Sequence, residues 1–229
     1  MDKVPQHIGI ILDGNRRWAK ARSKPTLFGH QKGFENLKTI ANHAYEKGIK
    51  IMTVYAFSTE NWNRSKEEVS YLMDLFKLMV TKEVKELDKN GIKLNILGNT
   101  RAFDDELQSG IKTAIKKTKN NTKGTLNVCL NYGGRAEILN AVKNIIKDKI
   151  NPDKIDEKLF AKYLYTKDMP DPDLIIRTSG EQRLSGFLTW QSVYSEFYFP
   201  QKDWPAFTTK DLDKAIEEFQ KRGRRFGGN

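Results

Sequence analysis

The chain has 229 residues, of which 38% are hydrophobic and 30% charged, and its formal net charge is +11. This length and balance predict a single domain over residues 1–229 with a substantial core, and they exclude a disordered chain. One cysteine, Cys129, excludes an internal disulfide and favours a reducing, cytoplasmic compartment. We find no signal-peptide pattern and no apolar run near the roughly 20 residues of a membrane span.

The positive charge admits three kinds of anionic partner: nucleic acid, an acidic membrane surface or phosphorylated small molecules. Much of the lysine excess, as in residues 116–119, is typical of a solvated surface. The aromatic residues fall within apolar runs and do not alternate with lysines, as they would on a nucleic-acid-binding face. We therefore expect phosphorylated molecules rather than nucleic acid as partners, with peripheral membrane contact left open.

Strand-like and helix-like segments alternate along the chain. In order, the pattern predicts strand Ile8–Leu12, a helix with apolar positions from Phe34 to Tyr45 that ends at Gly48, strand Ile51–Phe57, and a helix from Ser65 to about Asn90. It then predicts strand Lys93–Leu97, a helix from about Asp104, strand Thr125–Leu130, helix Ala136–Lys147, a weaker helix Glu157–Leu164, strands Leu174–Ile176 and Phe197–Phe199, and helix Lys210–Lys221. Such alternation predicts an α/β fold with a mostly parallel central sheet flanked by helices.

The predicted helix from Ser65 to about Asn90 is apolar on more than one face. Either it is buried on two sides, or it lines an apolar cavity. Its start carries the spacing of a capping box, with Ser65 three residues before Glu68.

Polar clusters follow several strands, and parallel sheets bind ligands beyond the carboxyl ends of their strands. After the first strand, Gly14 permits a close backbone approach, and Arg16 and Arg17 suit a phosphate. Asp13 fits beside a phosphate only when a hard cation such as Mg²⁺ bridges them. The alternative is a turn in which Asp13 caps a helix.

Three further features follow the same logic. His30 is either structural or a phosphate contact. The polar run from Ser58 to Trp62 is either a capped loop or a set of hydrogen-bonding groups at the reacting end of a substrate. Residues 177–185 combine two arginines with hydroxyls and a glycine after a buried strand, which suits a diphosphate or, alternatively, a surface loop. Glu196, within an aromatic run, needs a metal or an arginine as its partner.

Together these motifs resemble the cis-prenyltransferases, the undecaprenyl diphosphate synthase family. The resemblance runs in order over nearly the whole chain: His7–Lys20 (HIGIILDGNRRWAK), Gly29 and His30 with Gly33, Tyr55–Arg64 (YAFSTENWNR), Asn131–Arg135 (NYGGR), Arg177–Phe199 (RTSGEQRLSGFLTWQSVYSEFYF) and the tail Arg222–Gly228 (RGRRFGG).

The resemblance implies a homodimeric, Mg²⁺-dependent enzyme that adds isopentenyl diphosphate units to an allylic diphosphate such as farnesyl diphosphate. Each new double bond is cis, and an apolar tunnel holds the growing chain. The implied product is a Z-polyprenyl diphosphate of medium to long chain, with undecaprenyl diphosphate, the lipid carrier precursor for cell-wall synthesis, as our expectation.

The resemblance also implies residue roles. Asp13 would be the main catalytic carboxylate and Mg²⁺ contact, and Glu196 would help hold the metal from across the dimer. The allylic diphosphate would be bound by the first motif: Gly14, Asn15, Arg16, Arg17 and Trp18, with His30 nearby. Isopentenyl diphosphate would be bound by Arg177, Arg183 and Ser185. The closing loop or reacting end would comprise Ser58, Glu60, Asn61, Trp62 and Arg64, of which Asn61 and Ser58 would assist proton removal. The tail Arg224–Gly228 would reach a neighbouring subunit's site.

The chain departs from the family pattern at two positions. Thr26 stands where the family commonly has the arginine of an R-x-x-G-H pattern, and Arg22 or Lys24 is a candidate substitute. Gly186 replaces a usual asparagine, which predicts a looser loop around Arg183 and Ser185. Two rival hypotheses are a non-catalytic subunit that supports an active partner and a nucleotide-phosphate enzyme, although the sequence lacks GxxxxGK[ST] and GxGxxG motifs.

Overall fold

The structure, a computed structural model, describes residues 4–222 and is built on a parallel sheet. Within these residues six strands pair in the order β3-β4-β2-β1-β5-β6, and every pairing is parallel. The strands are β1 (His7–Ile11), β2 (Ile51–Ser58), β3 (Ile92–Leu97), β4 (Gly124–Tyr132), β5 (Leu174–Arg177) and β6 (Glu196–Tyr198). The predicted α/β class with a parallel sheet is confirmed.

The helices flank this sheet, as the alternating pattern predicts. They are α1 (Asn15–Lys20), α2 (Thr26–Glu46), α3 (Lys66–Leu78), α4 (Val84–Lys89), α5 (Asp105–Thr118), α6 (Gly134–Lys147), α7 (Glu157–Ala161) and α8 (Thr209–Lys221). The central strands β1 and β5 are buried along their whole length, because neighbouring layers cover both faces of a parallel sheet. Within residues 4–222, no helix combines the length and apolarity needed to cross a membrane.

A chain of polar side chains crosses the middle of the sheet. Asn95 Nδ2 donates to Asn127 Oδ1 (3.0 Å), and Asn127 Nδ2 donates to Thr53 Oγ1 (2.9 Å). The Thr53 hydroxyl lies 2.7 Å from His7 Nε2, and His7 Nδ1 lies 2.8 Å from the carbonyl oxygen of Pro170. Because buried polar groups are costly without partners, these bonds favour one register of β3, β4, β2 and β1.

The predicted helix from Ser65 to about Asn90 is interrupted. Helix α3 ends at Leu78, a π-helical turn covers Met79–Glu83, and α4 follows. The predicted capping box is half formed: Ser65 Oγ accepts from the Glu68 backbone N–H (3.2 Å), but the Glu68 carboxylate turns to other partners. Hydrophobic periodicity does not detect a π turn, because one extra residue leaves the apolar character of the segment unchanged.

Three other helices differ from expectation. Helix α2 begins at Thr26, well before Phe34, and α1 carries no apolar stripe that periodicity could detect. The early part of α2 contains Gly29, where a Cβ would lie 2.1 Å from the backbone oxygen of Asn15. Glycine, usually a poor helix former, is used here because α1 packs directly on α2. Helix α7 is shorter than its prediction and ends at Ala161.

Candidate active site

A cavity of about 1570 Å³ opens beyond the carboxyl ends of β1, β2 and β5. It is lined by most of the residues that the sequence singles out: Asp13, Gly14, Asn15, Arg16, Arg17, His30, Ser58, Glu60, Asn61, Arg64, Arg177 and Ser185. Its apolar lining comes from buried or half-buried side chains of α2, α3, the π turn and β4: Phe34, Leu37, Leu72, Leu75, Phe76, Met79 and Val128. One cavity therefore joins a strongly polar region to an apolar one.

Asp13 is held by two arginines at the polar end of the cavity. One carboxylate oxygen accepts from Arg177 Nη2 (2.9 Å), and the other accepts from the Gly14 backbone N–H (2.7 Å) and lies 3.1 Å from Arg17 Nη2. Helix α1 begins at Asn15, and among the described residues no side chain caps it. The alternative reading of Asp13 as a helix cap is therefore wrong, and its carboxylate faces the arginines.

Position 14 requires a glycine because of its backbone conformation and because neighbouring atoms leave no room for a side chain. Its φ is +100°, and a Cβ at this position would lie 2.3 Å from Asp203 Oδ1. The segment around Asp203 is itself tied to the site, because the Trp204 backbone N–H donates to the Asp13 carbonyl oxygen (2.9 Å). Sequence reasoning attributed Gly14 to close approach of a ligand and did not find this contact from a distant segment.

Arg177 is the last residue of β5, and its side chain contacts both Asp13, which follows β1, and the loop that follows β5. Its side chain is 6% exposed, and Nη1 donates to Ser185 Oγ (2.8 Å) and to the Arg183 carbonyl oxygen. Its Nε is buried and has no hydrogen-bond partner within residues 4–222. Arg177 and Ser185 are thus brought together as predicted, whereas the Arg183 side chain does not line the cavity and pairs with Glu181, which also pairs with Arg17 (2.7 Å).

Glu68 does not line the cavity but contacts three residues that do, a role that the sequence did not predict. Its buried carboxylate lies 2.9 Å from His30 Nε2 and accepts from Arg64 Nη1 (3.0 Å), and its second oxygen lies 3.9 Å from Arg16 Nη1. Burial lowers the pKa of the His30 imidazole, and the Glu68 carboxylate opposes that shift. Burial also lowers the pKa of Arg64. The available signal was the opposite charge of Arg64 and Glu68 on either side of Ser65, the residue that caps the start of α3.

Ser58 and Asn61 hold each other in a reciprocal capping box at the end of β2. Asn61 Oδ1 accepts from the Ser58 backbone N–H (3.1 Å), and the Ser58 side chain accepts from the Asn61 backbone. The capped-loop alternative is therefore confirmed, and both residues also line the cavity.

Four predicted site residues lie outside the cavity lining. The Trp18 ring stacks on Phe28, the Trp62 indole donates to Asn131 Oδ1 (2.8 Å), and Arg183 pairs with Glu181. Glu196 forms an ion pair with Arg222 (2.8 Å), so an arginine is its partner within the chain.

Glu196 lies at the amino end of the parallel strands, whereas Asp13 lies at their carboxyl end. Glu196 pairs with Leu174, the first residue of β5, whereas Asp13 follows the carboxyl end of β1. One chain therefore does not bring the two predicted metal contacts together. Among residues 4–222 no group of three or more His, Cys, Asp or Glu side chains is placed to hold a metal ion. The predicted tail contact, Arg224–Gly228, lies outside the described residues.

Comparison with known proteins gives a family. A family model described as "Putative undecaprenyl diphosphate synthase" matches residues 11–227. The chain belongs to this prenyltransferase family. It is 51% identical to the isoprenyl transferase of Clostridium perfringens, over 99% of this chain and 91% of that protein. It is 50% identical to the isoprenyl transferase of Thermotoga maritima, over 99% and 98% of the two chains.

Solved prenyltransferase structures share the fold. Lavandulyl diphosphate synthase from Lavandula x intermedia, in complex with dimethylallyl diphosphate, has a TM-score of 0.94 and 38% identity over 98% of this chain and 99% of that one. A probable undecaprenyl diphosphate synthase from Campylobacter jejuni has a TM-score of 0.83 and 29% identity over the full length of both chains. The protein is a prenyl-transferring enzyme.

The structure bears on both departures of this prenyltransferase from the family pattern. Thr26 and Lys24 line the cavity, whereas the Arg22 guanidinium lies over the Trp18 ring, 4.4 Å from its centroid. Of the two candidate substitutes, Lys24 is the one at the site. Gly186 has a φ of +81°, a conformation that glycine and asparagine tolerate better than other residues.

Other cavity residues were not predicted from the sequence. Lys20, Arg135 and Thr189 join the lining, together with the backbone of Gly133 and Gly134 at the start of α6. Arg135 belongs to the NYGGR motif, so the motif could have been used to predict that this residue lines the cavity.

Proposed function

We propose that this prenyltransferase adds isopentenyl diphosphate units, one after another, to an allylic diphosphate such as farnesyl diphosphate, giving a Z-polyprenyl diphosphate. The observation that carries the proposal is the continuity of the cavity, with arginines and hydroxyls at one end and apolar side chains along α2 and α3 at the other. A prenyl diphosphate has the same two parts, a multiply charged diphosphate head and a hydrocarbon tail. Pockets that combine an apolar wall with a few placed polar groups select such ligands.

The allylic diphosphate would bind beside Arg16 and Arg17. Their side chains are 61% and 49% exposed, which makes the Arg16 guanidinium accessible to a ligand, whereas Arg17 would exchange its contact with Glu181 (2.7 Å) for the phosphate. Lys24 would add a further cation at the cavity wall. Forked guanidinium donors bind phosphate oxygens in pairs, which supports this end of the cavity as the diphosphate site.

The donor set supports a Mg²⁺ ion at Asp13. Mg²⁺ commonly takes one or two carboxylates and completes its shell with water and substrate phosphates, so a single carboxylate beside a diphosphate site suffices. Asp13 is 28% exposed and borders the cavity, and Glu196 would contribute only from a second copy. When bound, the ion would stabilise negative charge on the departing diphosphate. The Arg17 and Arg177 contacts would hold the Asp13 carboxylate in place.

Isopentenyl diphosphate would bind near Arg177 and Ser185. Both line the cavity, and the Nε of Arg177, which has no hydrogen-bond partner among residues 4–222, is a donor that a phosphate oxygen could satisfy. Arg183 would need to turn from Glu181 to join them. Ser58 and Asn61, fixed by their mutual capping bonds, would assist removal of the proton that leaves as the new double bond forms.

Growth of the chain would be favoured by burial of hydrocarbon. Each CH₂ group moved from water into the apolar lining contributes about 0.8 kcal/mol. We propose undecaprenyl diphosphate, a lipid carrier precursor for cell-wall synthesis, as the product. Release of so apolar a product would involve peripheral contact with a membrane, from a cytoplasmic enzyme.

We further propose a homodimer that uses the exposed face of α6. Leu139, Val142 and Ile146 are 60%, 40% and 70% exposed and follow helical spacing, and Val193 and Tyr194 add exposed apolar surface. Contiguous exposed apolar surface commonly marks an interaction site. Because α6 starts at the cavity wall, a second copy on this face would stand close to the site.

The experiment that tests the proposed function follows labelled isopentenyl diphosphate onto farnesyl diphosphate with the purified protein, with Mg²⁺ and with chelator. Products are resolved by chain length. Mg²⁺-dependent polyprenyl product is the expected result. An absence of product from both farnesyl and geranyl diphosphate would contradict the proposal and favour the non-catalytic subunit, which mixing with an active relative would then identify.

A further inference from the structure

One carboxylate contacts an arginine from each of the two proposed diphosphate sites. Glu181 Oε1 accepts from Arg17 Nη1 (2.7 Å), and Glu181 Oε2 accepts from Arg183 Nη1 (2.5 Å). Arg17 belongs to the proposed site of the allylic diphosphate, and Arg183 to that of isopentenyl diphosphate. In the structure, both guanidinium groups are therefore paired with the same side chain of the protein.

These two contacts complete a closed ring of five residues. Arg17 Nη2 lies 3.1 Å from Asp13 Oδ1, Asp13 Oδ2 accepts from Arg177 Nη2 (2.9 Å), and Arg177 Nη1 donates to the Arg183 carbonyl oxygen. The side chain of Arg177 is 6% exposed, whereas those of Arg17 and Arg183 are 49% and 60% exposed. The links through Glu181 can therefore break without leaving a buried charge unpaired.

The backbone that precedes Glu181 is fixed to a distant segment. The Ser179 backbone N–H donates to the Lys202 carbonyl oxygen (2.7 Å), and the Gly180 backbone N–H donates to the Pro200 carbonyl oxygen (2.9 Å). An arginine side chain, in contrast, has several rotatable bonds. We therefore expect a bound diphosphate to draw the arginines away from Glu181 rather than to move the carboxylate with them.

Glu181 is negatively charged at neutral pH. Hydrogen bonds from Arg17 and Arg183 hold the pKa of its carboxyl below the ordinary value near 4.5. A guanidinium fork that bonds to a carboxylate uses the kind of donor that a phosphate oxygen needs. The two anions compete for these donors, and their mutual repulsion opposes sharing one arginine.

We infer that Glu181 is a counter-ion shared by the two diphosphate sites, and that each diphosphate binds by displacing it from one arginine. The identity of the ligands rests on the proposed function. This exchange weakens the binding of diphosphate at both sites. Each condensation leaves an inorganic diphosphate, which has to depart before the next unit is added, and Glu181 favours that departure by pairing again with the arginine.

The test measures binding of one ligand at a time, without turnover. Inorganic diphosphate, farnesyl diphosphate and isopentenyl diphosphate are titrated separately into the wild-type protein and Glu181→Gln, at neutral pH with Mg²⁺ present. Glutamine retains the size of the side chain and an acceptor oxygen but removes the charge. We expect the Kd of each ligand to fall about two- to fivefold, the scale on which a partly exposed ion pair acts.

The matched control is Glu106→Gln. It removes the same charge from another exposed ion pair, that of Glu106 with Lys77 (2.6 Å), and Glu106 does not line the cavity. The Kd values of this variant should equal those of the wild type. Because salt screens exposed charges, the difference between Glu181→Gln and the wild type should also shrink as the salt concentration rises.

The opposite sign would assign Glu181 another role. If the carboxylate orients the arginines for the ligand, Glu181→Gln binds the three ligands more weakly, and Glu181→Asp, which keeps the charge, restores part of the binding. That result would overturn the inference. Thermal unfolding checks the fold of each variant, and Glu181→Ala, which removes the carboxylate entirely, should tighten binding as Glu181→Gln does.

The outcomes separate this inference from the function on which it rests. A wild-type enzyme that forms polyprenyl product, with Kd values that Glu181→Gln and Glu181→Ala leave unchanged, would overturn the inference and leave the function intact. Tighter binding to both variants in a protein that transfers no prenyl group would support the shared counter-ion and overturn the function. A wild-type protein that binds none of the three ligands would overturn both.

Discussion

Each buried charged side chain at the site forms an ion pair or hydrogen bond with a second charged or titratable side chain. This pairing decides which substitutions will also lower the stability of the fold. Arg177 is 6% exposed and bonds to Asp13, Ser185 and the Arg183 carbonyl oxygen. Removing one partner from a buried pair leaves an uncompensated charge, which costs more than the pair contributes. Substitutions here are therefore expected to affect stability as well as transfer, and each test needs both readouts.

We expect the rate of prenyl transfer to depend more on Asp13 than on any other residue. We expect Asp13→Ala to lower the transfer rate by at least about 10²–10³-fold, the scale on which loss of one electrostatic contact to a transition state acts. The fold should persist, which circular dichroism and thermal unfolding would check. Asp13→Asn is the matched variant that retains hydrogen-bonding capacity without charge, and near-normal turnover in either variant would remove Asp13 from the mechanism.

Arg177 should not be replaceable by lysine. A lysine carries one point charge and lacks the fork that reaches Asp13, Ser185 and a backbone oxygen together. We expect Arg177→Lys to lower the free energy of unfolding by about 1–3 kcal/mol and to raise KM for isopentenyl diphosphate. Arg183→Lys is the control for stability, because that side chain is 60% exposed; equal losses in the two variants would contradict the argument.

At the scale of elements, the site depends on turns that follow strands. The loop after β5 is fixed by the bond from the Gly134 backbone N–H to the Gly186 carbonyl oxygen (2.7 Å), which ties it to the start of α6. Gly186 accordingly occupies the left-handed region (φ +81°). Glycine and asparagine are the two residues that tolerate this region best, so the asparagine usual in the family and the glycine of this chain can both occupy position 186.

This conformation predicts opposite results for two substitutions. Gly186→Asn should change the free energy of unfolding little and leave KM for isopentenyl diphosphate within about twofold, since asparagine tolerates the left-handed region. Gly186→Ala should cost about 1–2 kcal/mol, because its Cβ crowds the backbone there. A large fall in KM for Gly186→Asn would instead support the looser loop that the sequence predicts for glycine.

At the scale of the whole molecule, the polar side chains across the sheet link stability to pH. His7 is 1% exposed, and burial lowers the pKa of its imidazole below the ordinary value near 6.5. Below about pH 6.5 the unfolded chain binds a proton that folded His7 does not, so the free energy of unfolding falls as the pH falls. The lowered pKa of His30 acts in the same direction.

His7→Gln should therefore flatten the pH dependence of unfolding. Denaturant titrations between pH 8 and pH 5.5 would measure the slope, which is at most about 1.4 kcal/mol per pH unit for one proton. Glutamine retains a group that can hydrogen-bond Thr53, so the variant should fold at pH 8. An unchanged slope would show that His7 does not contribute.

The proposed dimer face gives a second prediction at this scale. Leu139→Glu together with Ile146→Lys places charges on the exposed face of α6 without touching the core, and we expect monomers by analytical ultracentrifugation. Ile155→Lys is the control, because Ile155 is an exposed apolar residue outside α6. A variant that stays as dimeric as the wild type would exclude this face.

The sequence by itself determined the parallel α/β fold, the family and most of the residues around the cavity. It could do so because strand and helix periods are local properties, and because parallel sheets place ligands beyond the carboxyl ends of their strands. Asp13, Ser58 and Arg177 each follow a strand, so their convergence was predictable from position alone.

Only the tertiary structure decided the contacts between distant segments. Glu68 meets His30 across 38 residues, and Asp203 approaches Gly14 from the far end of the chain. It also decided that Glu196 lies at the opposite end of the parallel strands from Asp13, and that a π turn interrupts the helix predicted from Ser65 to about Asn90. These features depend on how helices pack on the sheet and on each other, which no local period or spacing in the sequence encodes.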